Sequence, residues 1–385
     1  MLKFLTGGES HGKCLVGILE GMIAGLPLSP SDINKELERR QRGYGRGGRM
    51  KIEKDKIEIL SGVRGGKTTG SPISLLIENK DWKNWKKIMD IEKKRGGGER
   101  FIPRPGHADF PGYVKYGFED IRDVIERASA RETAMRVAIG AICKKFLQEF
   151  KINIYSRVVQ IGKVKDDTEW KRVKKEYEKI EKSEVRNFEK EEEMKKEIDK
   201  AKERGDSVGG IFEIIVEGVP PGLGSYVHWD RRMDALISFF LMSIPGVKGV
   251  EIGAGFTEGI FYGSEFHDEI FYNKKKKVYR KTNNAGGIEG GITNGEDLWI
   301  KCFMKPIPTL LISLSSVNLR TMQEEKTFYE RSDISAVVPA SVVGENVIAF
   351  VIAREFLRKF GGDTLKEVQN NYSSYLNSIQ KYWSF

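Results

Sequence analysis

Two histidines stand where an imidazole can do chemistry. His11 lies in Gly8-Glu9-Ser10-His11-Gly12, and His107 in Arg104-Pro105-Gly106-His107-Ala108-Asp109. Small and turn-forming neighbours leave such a ring open to a cavity. Histidine titrates near neutrality, so both are candidates for general acid or base work. A structural loop histidine is the plainer alternative for each. His228 and His267, beside Trp229 and Asp268, have no comparable setting.

The cations are grouped as well. Arg39, Arg40, Arg42, Arg46 and Arg49 fall in one glycine-rich stretch. Arg127-Ala128-Ser129-Ala130-Arg131 reads as a helix start, where Ser129 and free amides could receive a phosphate and both arginines could reach the same anion. The alternative is an ordinary charged helix. Lys305-Pro306-Ile307-Pro308-Thr309 and Arg331-Ser332-Asp333 place further cations and a carboxylate in loops. Together these residues describe a positively charged pocket holding two titratable rings.

Two phosphate motifs fail on context. Gly43-Tyr44-Gly45-Arg46-Gly47-Gly48 matches G-x-G-x-x-G, but a helix is expected to enter it and a strand to leave it, the reverse of a dinucleotide turn. Ser61 to Thr68 is nearly a P-loop, yet Thr69-Gly70-Ser71-Pro72 breaks the helix that its lysine would have to open. A hairpin is expected there instead. The arginine-glycine segment also admits a nucleic-acid arm, but only Tyr44 interleaves with it, and a small multiply charged anion suits the local charge better.

The elements that must position these residues follow from patterning. Ser29-Pro30-Ser31-Asp32 opens a helix that ends at the glycines near Gly43. Residues 50–60 and 72–77 read as strands of a largely antiparallel sheet, joined by a turn at Gly65. One long amphipathic helix is expected over 118–150, a helix over 233–242, a strand over 298–303 and a helix over 342–360. The stretch 163–204, dominated by lysine and glutamate, reads as an exposed, solvated helical insertion.

Bulk properties bound the rest. The 385 residues, 39% of them hydrophobic, can bury a sizeable core; without a linker or repeat, residues 1–385 read as a single domain. The formal charge of +10 favours anionic ligands. Cys14, Cys143 and Cys302 are far apart, which argues against disulfides and a zinc site and for a reducing cytoplasm. The amino terminus shows no signal peptide or membrane span, so a soluble protein is expected.

As a set, the motifs GESHG at 8–12, RRQRGYGRGGRM at 39–50, RPGHAD at 104–109, RASARETAMRVAIGA at 127–141, VKGVEIGAGF at 247–256, NNAGGIEGGITNG at 283–295, KPIPT at 305–309 and RSDISAVVPA at 331–340 resemble the chorismate synthase family. The resemblance runs through nearly the whole chain and is weakest at 163–204. It implies an α+β fold, a sandwich of antiparallel β-sheets around a helical layer, assembled as a homotetramer. It also implies a redox-neutral anti-1,4-elimination of phosphate from 5-enolpyruvylshikimate 3-phosphate to give chorismate, requiring reduced FMN, with NADPH as a candidate reductant.

By the same resemblance His11, His107 and Asp333 are the catalytic candidates. FMN contacts would fall on Arg127, Ala128, Ser129, Pro245, Gly246, Gly290, Lys305, Pro306, Ile307, Pro308, Thr309 and Arg331. Arg40, Arg46, Arg49, Arg104 and Arg131 would hold the substrate, whose phosphate and two carboxylates need many guanidinium groups. Pro245-Gly246 departs from the family pattern, so contacts there would be through backbone. No nucleic-acid or membrane partner is expected.

Overall fold

A computed structural model describes residues 1–47, 54–92, 98–255, 259, 262–329 and 333–383. Arg49 and Arg331 lie outside these. Four strands, Lys3–Gly7, Cys14–Glu20, Ile73–Glu78 and Ile57–Ile59 in that order, form one antiparallel sheet. A second antiparallel sheet orders Val247–Ile252, Leu298–Met304, Gly210–Glu217, Asn153–Ile161 and Val164–Lys165. Between them lie the helices Pro30–Gln41, Thr133–Gln148 and Val337–Phe360. The fold is therefore α+β, a helical layer between two sheets, as the resemblance implied.

Missing side chains let the layers approach. A Cβ on Gly140 would lie 2.3 Å from the backbone oxygen of Asn346, so the two central helices touch there almost backbone to backbone. A Cβ on Gly344 would come within 2.7 Å of Phe212, where the Val337–Phe360 helix meets the five-stranded sheet. Phe212, Ile214 and Val216 alternate along their strand and are fully buried, each contributing about 1.5–3 kcal/mol by leaving water.

The Pro30–Gln41 helix opens on a capping box formed by Ser29 and Asp32, as its sequence signals. The turn at Gly65 is a hairpin between Val63–Arg64 and Lys67–Thr69. Met233–Met242 is helical as expected. The helix expected from 342 begins at Val337, because Pro339 falls in its first turn, where no amide is required. That helix is long and apolar enough to cross a membrane, but it is buried in the core.

Two expectations need correction. The single helix over 118–150 is broken into Arg122–Arg127 and Thr133–Gln148, with Ser129 extended between them and its hydroxyl accepting from the Arg131 amide. The insertion at 163–204 is helical, with segments Trp170–Lys175, Glu178–Lys182 and Glu191–Glu203, and it has the expected exposed face with ion pairs one turn apart, but its inner face is packed. Val185, Met194 and Ile198 are fully buried in the main core, and Arg186 is buried against Ser341 and Ser156.

A buried charge network sits in the helical layer. The Glu345 carboxylate accepts from Arg39 at 3.0 Å through each of its oxygens, from Ser156 at 2.7 Å, and from Lys144. Arg39 also reaches Glu36 at 2.6 Å and Glu181 at 2.7 Å.

Candidate active site

The loop joining the first two strands carries Ser10 and His11, and Glu126 grips both. Its backbone oxygen accepts from the Ser10 amide at 2.9 Å, and its carboxylate accepts from the His11 amide at 2.8 Å and from Nδ1 at 2.9 Å. The Glu126 carboxylate is buried. Burial alone would raise its pKa, but the hydrogen bonds and charge of His11, with Arg122 behind, outweigh this and hold it below the ordinary value. Trp85 stacks on the imidazole, centroids 3.8 Å apart. With Nδ1 donating to a carboxylate, Nε2 is left as the nitrogen that can meet a ligand.

His107 is held in the same way. Its Nδ1 lies 2.6 Å from Asp109, which also accepts from Arg104 Nε at 2.8 Å and from the Arg104 amide at 3.0 Å. Asp109 is fully buried; those partners overcome burial and hold its carboxyl well below the usual range. Arg104 in turn donates to Thr309 at 3.0 Å.

Both histidines line one cavity of about 590 Å³, with Arg104, Ala128, Ser129, Pro245, Gly246, Asp333 and the loop Lys305, Pro306, Ile307, Pro308 and Thr309. Asp333 accepts from the Gly47 amide at 2.6 Å and lies 3.3 Å from Arg46. Arg40, Arg46 and Arg131 sit behind this wall. Arg131 donates to both oxygens of Asp55 at 2.7 Å and to Asn79; Arg40 donates to Thr133 and to the backbone of Ala130, which lines the cavity.

Arg40 Nη1 is buried without a hydrogen-bond partner among the described residues. Burial, only partly offset by Asp55 and reinforced by repulsion from Arg46 and Arg131, brings the Arg40 pKa down to about 10. The Asp55 carboxylate stands 3.8 Å from that nitrogen, an ion pair longer than a hydrogen bond. The side chains of Arg39, Arg40 and Arg46 are thus held inward, while Arg42 is exposed and paired with Glu38.

Other expected residues stand apart. Arg127 turns its guanidinium to the backbone of Thr6 and Gly8 and does not line the cavity, although the next two residues do. Gly290 occupies the turn between Ile288–Glu289 and Ile292–Thr293, also away from the cavity lining. Sequence reasoning missed Glu126, Trp85, Asp55, Asn79, Arg100 and Arg122. Asp109 carried a signal, a carboxylate two residues after a loop histidine; Glu126, 115 residues from His11, carried none.

Residues 2–357 match the family model described as chorismate synthase. The chain belongs to the chorismate synthase family. It is 55% identical over 378 residues to the chorismate synthase of Alkaliphilus metalliredigens, covering 97% of this chain and 99% of the relative. With that of Aquifex aeolicus it shares 54% over 393 residues, covering 99% of each. A crystal structure of a chorismate synthase superimposes with a TM-score of 0.81 at 46% identity, over 99% of both chains. The protein is thus a lyase of the shikimate pathway acting on a small molecule, and the family implies a reduced flavin cofactor.

The Glu126 contact is testable directly. In Glu126→Gln, nitrogen NMR of the His11 ring should show a weaker hydrogen bond at Nδ1. Turnover should fall about tenfold, the value of one charge-assisted hydrogen bond. An unchanged Nδ1 resonance would refute the assigned role.

Proposed function

We propose that this cavity binds 5-enolpyruvylshikimate 3-phosphate beside reduced FMN and eliminates phosphate to give chorismate. The observation that supports it is the joining, in one cavity, of two carboxylate-fixed imidazoles and Asp333, with Arg40, Arg46 and Arg131 behind its wall. The residues fit a phosphorylated flavin. Ile125 and Met304 offer apolar surface to a flat ring, and Lys305, Arg100, Arg104 and Arg122 offer cations to a phosphate.

In the elimination the carbon–oxygen bond breaks with its electron pair leaving on phosphate, a ring proton departs, and the pair it leaves forms the new double bond. When held there, reduced FMN would supply electron density to the substrate during loss of phosphate, with no net redox change. His11 serves as the acid for the departing phosphate. His107 sustains the charge needed on the flavin side, and Asp333 takes part in removing the ring proton. Arg40, Arg46, Arg49, Arg104 and Arg131 offset the charge of the substrate. Ala128, Ser129, Pro245, Gly246 and residues 305–309 hold the cofactor, with Arg331.

We further read residues 1–385 as one domain, supported by a core running from Leu2 to Val368. The three dispersed free cysteines fit a cytoplasmic setting, and a homotetramer fits the outer face of the four-stranded sheet. There Leu5, Val16 and Ile18 are exposed, a surface that another copy would cover.

FMN titration tests the reading. Substrate should tighten FMN binding about tenfold or more, because the two anions share arginines and each shields the other's pocket from water. Absence of FMN binding with substrate present would overturn it. Anaerobic phosphate release with NADPH and FMN, against chemically reduced FMN, separates self-reduction from an outside reductant.

A further inference from the structure

The lysine- and glutamate-rich insertion is tied directly to the loop that carries Arg46. Ile198, in the Glu191–Glu203 helix, packs on Gly45, whose φ of +74° and lack of a side chain are both required: a Cβ there would lie 2.7 Å from Ile198 Cγ2. The Tyr44 hydroxyl donates to Asp199, with oxygen distances of 2.9 and 3.0 Å, and Lys195 lies over the Tyr44 ring at 5.6 Å. The Tyr44 amide donates to the Glu184 backbone at 2.8 Å.

The other side of the same loop holds the site. The Ile334 amide donates to the Gly45 oxygen at 2.9 Å, and the neighbouring Asp333 receives the Gly47 amide and faces Arg46. Residues 43–47 are therefore clamped between the insertion and the segment 333–334.

We propose that Tyr44, Ile198 and Asp199 are positioning residues for the elimination, acting through the 43–47 loop to set Arg46 and Asp333 at the cavity. None of the three lines the cavity, so their effect is transmitted. This rests on the reading of Arg46 and Asp333 as substrate-side groups. A shift of the loop moves a guanidinium and a carboxylate together, so substrate binding and turnover suffer while the flavin side, built from residues 128–129, 245–246 and 305–309, is spared.

The test uses the full-length enzyme with Tyr44→Phe, Asp199→Asn and the double variant. Each single change should raise the substrate KM about tenfold, the effect of losing one hydrogen bond to a charged group. The double variant should be no worse than either single one, the signature of one shared contact. FMN affinity should stay within about twofold, because the flavin side does not move. Hydrogen exchange at the amides of Tyr44 and Gly47 should quicken in all three, while the Val337–Phe360 helix keeps its protection.

Additive losses, equal losses of FMN and substrate binding, or faster exchange with unchanged KM would each overturn the proposal. The exchange measurement reads the clamp whether or not the protein releases phosphate. Failure of the functional reading, seen as a wild type without turnover, is thereby distinguished from failure of the clamp.

Discussion

Asp333→Asn should bind FMN and substrate nearly as the wild type does, yet release phosphate about a hundredfold more slowly or worse, the usual loss when a proton-transfer group is removed. The amide keeps the shape of the carboxylate and its oxygen can still accept from the Gly47 amide, so the 43–47 loop stays in place. What it loses is the capacity to take up a proton. The competing role is an anchor for Arg46, 3.3 Å away, and it predicts the opposite split: weaker substrate binding with turnover at saturation preserved. Single-turnover kinetics with saturating reduced FMN decide between them, and wild-type elimination by the variant would remove Asp333 from the chemistry.

The second large effect is on stability. Glu345→Ala should cost roughly 3–5 kcal/mol, because it leaves Arg39 and Lys144 buried against an empty acceptor. Burial alone would raise the Glu345 carboxyl above its ordinary value of 4.5, but Arg39 and Lys144, with Arg186, outweigh burial and depress it. The folded state thus holds the proton less tightly than the unfolded state. The stabilisation is fully present above the ordinary value and is lost as pH falls through the depressed one. Denaturant midpoints measured from neutral pH downward should therefore fall steeply in the wild type and less steeply in Glu345→Ala. Parallel curves would show that this carboxylate does not carry the acid sensitivity.

Local structure was legible where local rules decide it. The capping signature at Ser29, the Gly65 hairpin and the Met233–Met242 helix follow from neighbouring residues alone. The sandwich was reached through resemblance, since strand periodicity does not say which sheets enclose which helices. The helix start read at 127–131 is where the run expected over 118–150 breaks, and partners far away hold the break: Arg131 is held by Asp55 and Asn79, and Glu126 by the Ser10-His11 loop. The insertion conceals its buried inner face from the sequence for a related reason. Its charged composition hides a few apolar and arginine side chains whose partners, Gly45, Ser156 and Ser341, are remote in sequence. In the site, the histidines and the 305–309 loop could be named from their neighbours, while the buried carboxylate holding His11 could not.

The central charge network bears on how the chain must be made. Arg39 meets Glu345 across 306 residues, and Gly47 meets Asp333 across 286. During synthesis, the amino-terminal sheet and its helix emerge long before the acceptors that neutralise them. A nascent chain stopped before residue 345 holds Arg39 and Lys144 with Glu36 but without the carboxylate that both share. Closure of the layers is therefore deferred until nearly the whole polypeptide is available, and folding is slow for a chain dominated by such distant contacts. Cutting the gene into two independently expressed halves would separate His11 from Asp333 and Arg39 from Glu345 in one stroke, leaving neither piece with a reaction centre or a neutral interior.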